Sequence, residues 1–210
     1  MEQKNHKASL SGIAVVILAA GRASRMGREK LLLMLGDKPV IRHVAETVCR
    51  SELDGISDTV VVANPRNQDS IRAVLAGLDL RIICNPSFEQ GLGTSIATGV
   101  GAAVGSDASA LLLVQGDQPF VNAEVLRRLI DEWREHQSAF VASSYDEITT
   151  TPVIFSRALF AEMAALKGDV GARSVLRNHG GRVITFPAWR GADLDTEEDY
   201  ERVQQLFAKL

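Results

Sequence analysis

A segment rich in glycine and basic residues, LAAGRASRMGREK at residues 18–30, directly follows the most apolar run of the chain, IAVVI at residues 13–17. Glycines in a loop let backbone N–H groups converge on an anion. The basic residues of the segment, which could neutralise a triphosphate, are Arg22, Arg25, Arg28 and Lys30. The pattern favours a phosphate-binding loop over glycines that only make turns beside solvated charges.

The spacing of this segment excludes two common phosphate-binding loops. A dinucleotide fingerprint needs a second glycine two residues after the first, but Ala23 stands two residues after Gly21. A Walker loop needs Gly-Lys followed by serine or threonine, whereas Gly27 is followed by Arg28 and Glu29. The segment therefore indicates a longer loop of another class.

Two acidic sites could hold the magnesium ion that a triphosphate requires, because Mg²⁺ prefers carboxylate oxygens. Asp117 follows the apolar run LLLVQ and lies in the sequence GDQP, although a lone aspartate there could also cap a helix or a turn. Asp193 and Asp195 lie in GADLDTEEDYERV at residues 191–203. The second cluster also has the pattern of a helix N-terminus with acids in its first turn.

The elements that must position these residues alternate along the chain. Strands are predicted at 14–20, 59–65, 81–86, 110–117, 139–145, 151–157 and 182–188, and helices at 39–53, 68–78, 94–104, 123–136, 158–166, 174–180 and 197–210. Nearly continuous apolar strands separated by helices are typical of a parallel sheet with both faces covered. The sequence predicts an α/β fold with a Rossmann-like, doubly wound, mostly parallel sheet. Residues 13–210 are expected to form one domain, after a disordered lead-in at 1–12.

Composition narrows the possible partners of the chain. The 210 residues are 46% hydrophobic and carry a net charge of −3, which gives no general attraction to nucleic acid or to a membrane. No apolar run approaches the roughly 20 residues that span a bilayer. Cys49 and Cys84 are far apart and have no metal-ligand spacing. We expect a soluble cytoplasmic protein with no nucleic-acid or membrane partner.

Segment 18–30 resembles the signature L-A-[AG]-G-x-[SG]-x-R-[MF]-G-x-x-K of the MobA-like NTP transferases, the nucleotidyltransferases grouped around molybdenum cofactor biosynthesis. The resemblance implies a fold of the nucleotide-diphospho-sugar transferase type and a loop that wraps a triphosphate. It places Arg25 and Lys30 on the phosphates, and the other nucleotide-binding positions of the segment are Leu18, Ala19, Ala20 and Gly21. Alanine at position 20 is similar to the cytidylyltransferase branch, since the guanylyltransferase branch more often has glycine there.

The acidic motifs resemble the metal site of the same family. GDQP at 116–119 is similar to its metal-binding motif, which implies that Asp117 binds Mg²⁺ and takes part in catalysis with Arg25 and Lys30. The D-x-D-T-x-E-D pattern from residue 193 is similar to a later family segment. That likeness implies that Asp195 also binds the metal and that Asp193 supports it.

Two further segments extend the resemblance, which runs from about residue 13 to residue 200. NPSFEQGLGTSIATG at 85–99 is similar to the segment that lies along the base and sugar, and it implies contacts from Gly91 and Ser95. KGDVGAR at 167–173 resembles the G-D-x-G-A-R motif of the cytidylyltransferase-like branch. There Asp169 and Arg173 would bind an anionic acceptor or steady a neighbouring loop.

One residue departs from the pattern and bears on the acceptor. Thr150 stands where the family commonly has glycine, two residues before the proline of its G-x-P-x-x-F strand. The departure predicts a narrower or differently shaped acceptor side of the site.

The resemblance implies a Mg²⁺-dependent transfer of CMP from CTP to the terminal phosphate of molybdopterin or molybdenum cofactor, with release of pyrophosphate. The product would pass to a recipient molybdenum hydroxylase or its chaperone. Three alternatives stay open. They are a GTP-using enzyme, an enzyme acting on a sugar phosphate, and a non-catalytic carrier that hands the cofactor to an apo-enzyme.

Overall fold

The computed structural model describes residues 12–21, 29–49, 53–103 and 107–210. Its strands are β1 (Gly12–Leu18), β2 (Met34–Leu35), β3 (Lys38–Pro39), β4 (Ile56–Ala63), β5 (Arg81–Cys84), β6 (Ala108–Gln115), β7 (Phe140–Tyr145), β8 (Ile148–Ser156) and β9 (Arg182–Thr185). Its α-helices are α1 (Val40–Val48), α2 (Gln68–Val74), α3 (Leu92–Ala103), α4 (Ala123–His136), α5 (Phe160–Ala164), α6 (Arg173–Asn178) and α7 (Glu197–Phe207). Residues 1–11 of the predicted lead-in lie outside this description, and Gly12 already belongs to β1.

Seven of the strands form one sheet in the order β5-β4-β1-β6-β8-β7-β9. Neighbouring strands are parallel except where β8 meets β6 and β7, which it pairs with in antiparallel fashion. The structure thus confirms the predicted doubly wound, mostly parallel α/β sheet. Because β1, β4 and β6 run in the same direction, their carboxyl ends lie at one edge, where such sheets bind ligands.

Alternating residues of β1 build two separate cores, one on each face of the sheet. Ile13, Val15 and Ile17 pack in the cluster that contains residues of α1 and α4. Val16 and Leu18 pack in the cluster that contains residues of α3 and α5. The strand is buried on both faces, which explains its continuous apolar sequence.

The position of α3 depends on a close approach to the sheet. A Cβ atom at Gly99 would lie 2.4 Å from Cγ1 of Val16, so a larger residue would push the helix away from β1. The N-terminus of α3 is thereby held near the carboxyl end of β1.

Several local features differ from the sequence predictions. The first helix ends at Val48 rather than at residue 53. The last strand before α5 begins at Ile148 and forms a hairpin with β7 through Asp146 and Glu147, both of which have positive φ angles. The short β2–β3 pair was not predicted, because two residues are too few to show a periodic pattern.

None of the helices in the described ranges is long and apolar enough to cross a membrane.

Candidate active site

Lys30 joins two acidic side chains that are distant in sequence. Its Nζ lies 2.6 Å from Oδ2 of Asp117 and 2.8 Å from Oδ1 of Asp195. The Asp117 side chain is 10% exposed, whereas that of Asp195 is 49% exposed. The two proposed metal ligands and the proposed phosphate-binding lysine therefore form one cluster at the carboxyl ends of β1 and β6.

Asp117 reaches this cluster because Gly116 lies against the end of β1. The Gly116 N–H donates to the Leu18 carbonyl oxygen over 2.9 Å. A Cβ at Gly116 would lie 3.0 Å from that oxygen and 2.6 Å from Cδ1 of Ile41. The glycine of GDQP is therefore required by packing, and it sets Asp117 beside the first strand.

Lys30 begins a short 3₁₀ helix, Lys30–Leu32, in which Leu31 is buried in the core. Burial by itself lowers the pKa of the Lys30 ammonium, but Asp117 and Asp195 outweigh that effect and the pKa is raised above its ordinary value. The lysine is therefore charged at neutral pH and neutralises part of the acidic cluster.

The second acidic segment serves two purposes. Thr196 caps α7 in a reciprocal capping box with Asp199, so the helix N-terminus predicted from the sequence is present. Leu194 is fully buried beside Val203, which fixes the chain just ahead of the helix. Asp195 is thereby left to point to Lys30 instead of capping the helix.

A cavity of about 170 Å³ contains this cluster and is strongly acidic. Among the described residues, its charged lining consists of Glu29, Asp117, Asp193 and Asp195 against Lys30. Burial raises the pKa of Asp193, and the negative charges of Asp117 and Asp195 raise it further. Among these described residues the negative charges outnumber the one positive charge, which favours a bound cation.

A second cavity, of about 460 Å³, adjoins the first and shares Leu18, Leu92 and Gln115 with it. Its polar lining includes Thr150, Thr151, Asp169, Arg173 and Arg177, and its apolar lining includes Ile96, Leu113, Val153, Val170 and Leu176. It can accept a molecule that has both an apolar body and an anionic group. Thr150, the departure noted in the sequence, lines this second cavity.

Hydrogen-bonded polar side chains connect the walls of the two cavities. Gln115 Nε2 donates to Thr151 Oγ1 over 3.0 Å, and Thr151 Oγ1 donates to Gln118 Oε1 over 3.1 Å. Gln118 Nε2 in turn donates to the Gly191 carbonyl over 3.4 Å. This chain of hydrogen bonds ties the GDQP loop to β8 and to the segment that leads to Asp195.

The predicted nucleotide and acceptor loops pack directly against each other. Gly91 has a φ angle of +112°, and a Cβ there would lie 2.4 Å from both Oδ1 of Asp169 and the carbonyl carbon of Gly168. The Gly93 N–H donates to the Gly168 carbonyl over 2.9 Å. The structure therefore gives Gly91 a packing role, and it supports the interpretation that the KGDVGAR loop steadies its neighbour.

Some of the predicted site residues line the two cavities, and others do not. Leu18, Gly21, Lys30, Asp117 and Asp195 line the smaller cavity, and Asp169 and Arg173 line the larger. Ala19, Ala20, Gly91 and Ser95 are not among the residues described as lining either cavity. Ser95 is buried, and its hydroxyl accepts a hydrogen bond from Asn85 Nδ2 over 3.0 Å. Arg25, together with the rest of segment 22–28, lies outside the described residues.

Several polar residues near the site were not identified as candidates from the sequence. Asn64 and Asn85 follow β4 and β5, Gln115 ends β6, and Asn67 lies one turn beyond Asn64. Asn64, Asn67 and Asn85 are each 1% exposed. The signal that could have found Asn64, Asn85 and Gln115 is an amide side chain at the carboxyl end of three predicted strands, those that correspond to β4, β5 and β6.

Comparisons with known proteins agree with this geometry. The chain matches the MobA-like NTP transferase domain over residues 15–183. It is 32% identical over 201 residues to a molybdenum cofactor guanylyltransferase of Rhodobacter capsulatus, covering 91% of this chain and 95% of that protein. It is 29% identical over 205 residues to the purine catabolism protein PucB of Bacillus subtilis strain 168, covering 92% and 96%.

A solved structure shows the same fold. The crystal structure of Rv0371c from Mycobacterium tuberculosis H37Rv in complex with manganese matches with a TM-score of 0.74 and 27% identity. The match covers 92% of this chain and 98% of that one. The structure of a nucleotidyl transferase from Methanothermobacter also matches, with a TM-score of 0.76 and 24% identity over 94% of this chain and 98% of that one. The fold is therefore that of the α/β nucleotidyltransferases.

Proposed function

The chain belongs to the MobA-like NTP transferase family and is a nucleotidyltransferase, and we propose that it transfers CMP from CTP to the terminal phosphate of molybdopterin or its molybdenum-loaded form. The oxygen of the acceptor phosphate forms a bond to the α-phosphorus of CTP. The bond from that phosphorus to the β-phosphate oxygen breaks, and pyrophosphate leaves. The product is a cytosine dinucleotide form of the cofactor.

The observation that carries this proposal is the placement of Lys30 between Asp117 and Asp195, beside a larger cavity that contains Arg173. A triphosphate needs cations that neutralise its charge. An acceptor needs a separate space next to the α-phosphate. The two adjoining cavities supply these two spaces. Their shared lining at Leu18 and Gln115 is where the reacting phosphates would meet.

The residues of the smaller cavity fit a divalent cation. Oδ1 of Asp117 is buried and has no hydrogen-bond partner among the described residues, so one acceptor oxygen is left for a ligand. The carboxylates of Asp117 and Asp195 already share one positive group, the Lys30 ammonium. We propose that these two carboxylates hold Mg²⁺, which when bound neutralises the phosphate charge.

The described residues contain no group of three or more histidine, cysteine, aspartate or glutamate side chains arranged to hold a metal ion. Two carboxylates agree with the usual coordination of Mg²⁺. This ion binds one or two carboxylates and takes its remaining ligands from substrate phosphates and water. The manganese complex of Rv0371c supports a divalent ion in this fold.

The protein side chains act mainly by positioning and by charge. We propose that Lys30 and Arg25 bind phosphate oxygens and that the backbone at Leu18, Ala19, Ala20 and Gly21 lies along the nucleotide, with Gly91 and Ser95 shaping its base and sugar side. Apart from its chain neighbours, no described residue has an atom within 4 Å of the position of a Cβ at Gly21. A protein nucleophile is not needed, because a phosphate monoester is already an anion at neutral pH.

Asp169 and Arg173 are proposed to face the acceptor. Arg173 Nε donates to the Thr149 carbonyl over 3.2 Å, which holds the guanidinium at the rim of the larger cavity. A guanidinium so placed can bind the terminal phosphate of a pterin cofactor. We further propose that the reaction takes place in the cytoplasm and that a molybdenum hydroxylase or its chaperone receives the product.

The choice of CTP rests on the resemblance at Ala20 and at KGDVGAR, whereas the Rhodobacter relative is named a guanylyltransferase. The test is pyrophosphate release with Mg²⁺ and freshly prepared molybdenum cofactor, with CTP, GTP, ATP and UTP supplied separately. Release with CTP supports the proposal. Release with GTP alone would overturn the cytidine assignment, and release only with a sugar phosphate in place of the cofactor would overturn the acceptor.

The same assay tests the acidic cluster. Asp117→Asn should lower turnover by about a hundredfold or more, because it removes one of the two charged ligands proposed for Mg²⁺. Asp58→Asn is the matched control, since Asp58 pairs with Arg81 away from both cavities. Equal turnover in the two variants would remove Asp117 from the catalytic site.

A further inference from the structure

Asn67 lies beside the site but takes no part in the reaction proposed above. Its side-chain Nδ2 donates to the Ala19 carbonyl over 2.9 Å and to Glu29 Oε2 over 3.2 Å. Its Oδ1 accepts from the backbone N–H of Asn64 over 2.9 Å. A single buried amide therefore links the residue that follows β1 to the residue that precedes Lys30.

The orientation of this amide is set by its partners. Both groups near Nδ2 are acceptors, and the group near Oδ1 is a donor, so a flipped amide would lose all three hydrogen bonds. Asn64 Oδ1 completes the arrangement by accepting from the N–H groups of Arg66, at 2.8 Å, and Asn67, at 3.1 Å. The amide of Asn67 is thus held as a donor to Glu29.

Asn67 occupies the N-cap position of α2, yet its side chain makes no capping hydrogen bond. Asn122, at the N-cap of α4, behaves in the ordinary way and accepts from the N–H of Val125 over 3.1 Å. Asparagine is common at N-caps because its side-chain oxygen accepts a hydrogen bond from a backbone N–H in the first turn of the helix. Asn67 instead directs its side chain away from its own helix and toward the site.

The contact with Glu29 matters because Glu29 lines the smaller cavity, where the phosphates of the nucleotide would bind. A Glu29 carboxylate that was free to turn toward the phosphates would repel them and would compete for Lys30. The neutral amide of Asn67 gives Glu29 a partner that carries no charge. Since Glu29 directly precedes the 3₁₀ helix that Lys30 begins, the same contact also fixes the start of that helix.

We propose that Asn67 is a positioning residue for nucleotide binding, which holds the Glu29 carboxylate and thereby sets Lys30 on the phosphates. The proposal rests on the proposed function, because it takes the smaller cavity as the phosphate site. Asn67 acts through its Nδ2 donor, which an aspartate of the same size does not have.

The test is the substitution Asn67→Asp, with Asn122→Asp as the matched control. Aspartate at 67 loses the Nδ2 donor and sets a second carboxylate against Glu29, whereas aspartate at 122 still caps its helix. We expect the KM for the nucleotide to rise about ten- to hundredfold in Asn67→Asp, with a smaller fall in kcat. Asn122→Asp should leave both unchanged.

Glu29→Gln supplies the rescue. In the Asn67→Asp background, a glutamine at 29 can donate to the new aspartate, so nucleotide binding should recover in part. Isothermal titration with Mg²⁺ and CTP, together with a thermal melt of each variant, separates the possible causes. A role limited to stability would lower the melting temperature of Asn67→Asp without changing the CTP affinity of the folded protein.

The outcomes distinguish this inference from the function on which it rests. Wild-type protein that binds neither CTP nor any other nucleoside triphosphate would overturn both. Wild-type binding with unchanged affinity in Asn67→Asp would overturn the positioning role alone. A loss of affinity that Glu29→Gln repairs would establish it.

Discussion

Lys30 and Asp195 are separated by 165 residues in the chain, yet Lys30 Nζ lies 2.8 Å from Asp195 Oδ1. The same ammonium lies 2.6 Å from Asp117. The lysine therefore occupies the space between two carboxylates that a metal ion would also use. This relationship gives the lysine two alternative partners, the carboxylates of the protein and the phosphates of a nucleotide.

Removing the Lys30 ammonium should strengthen the binding of a metal ion in the absence of nucleotide. We expect Lys30→Met to bind Mn²⁺ several-fold to about tenfold more tightly than the wild-type protein, because the carboxylates lose a competing cation. Electron paramagnetic resonance of free and bound Mn²⁺ measures this directly. Lys38→Met, which removes an ammonium that pairs with Glu46, is the control. Weaker Mn²⁺ binding in Lys30→Met would contradict the two-carboxylate site.

Gly91 should tolerate no side chain. A methyl group there would collide with Asp169 and Gly168, and the backbone φ angle of +112° is one that residues other than glycine rarely adopt. Gly91→Ala should lower the free energy of unfolding by roughly 1–3 kcal/mol, and it should reduce turnover because it separates the two loops.

Gly101→Ala is the matched comparison for Gly91→Ala. Gly101 lies in α3, and no described atom is within 4 Å of the position of its Cβ. Alanine there should raise stability by up to about 1 kcal/mol, the usual gain over glycine in a helix. Urea unfolding of the two variants gives the comparison, and equal stabilities would show that the loops do not interlock as described.

Arg173 should affect the acceptor and not the nucleotide. Because its guanidinium lines the larger cavity, Arg173→Ala should raise the KM for the acceptor about tenfold and leave the KM for CTP within about twofold. Arg182→Ala, which removes an exposed partner of Glu132, serves as the control. A rise in the KM for CTP instead would move Arg173 to the nucleotide side.

Tyr145 should make the fold sensitive to alkaline pH. Burial raises the pKa of Tyr145 to about 12, whereas in the unfolded chain a tyrosine has a pKa of about 10. Between these values the unfolded chain loses the proton and the folded chain keeps it, so stability falls as pH rises, by up to ~1.4 kcal/mol per pH unit.

Tyr145→Phe should remove that slope while keeping the ring beside Phe186. Urea unfolding at several pH values between 10 and 12 measures the difference from wild type. Tyr200→Phe, which removes a hydroxyl that donates to the Met34 carbonyl, is the control. A slope that persists unchanged in Tyr145→Phe would show that other groups cause the alkaline loss of stability.

The sequence alone determined the class of the fold and its candidate acidic site. Continuous apolar strands separated by amphipathic helices predict a parallel sheet, because only strands covered on both faces can be apolar throughout. The parallel direction then places residues such as Asp117 at the edge where ligands bind. The motifs around Lys30, Asp117 and Asp195 predict a site for phosphate and Mg²⁺ at that edge.

Only the tertiary structure decided which residues meet. Pairing of Lys30 with Asp195 depends on the burial of Leu194, and the amide of Asn67 reaches Glu29 only because β1, β4 and the start of α2 are adjacent. The close packing of Gly91 against Gly168 and Asp169, which are 77 and 78 residues further along the chain, is likewise visible only in the folded protein. Periodicity and motifs report what each segment prefers by itself, whereas contacts between distant segments depend on the packing of the whole sheet.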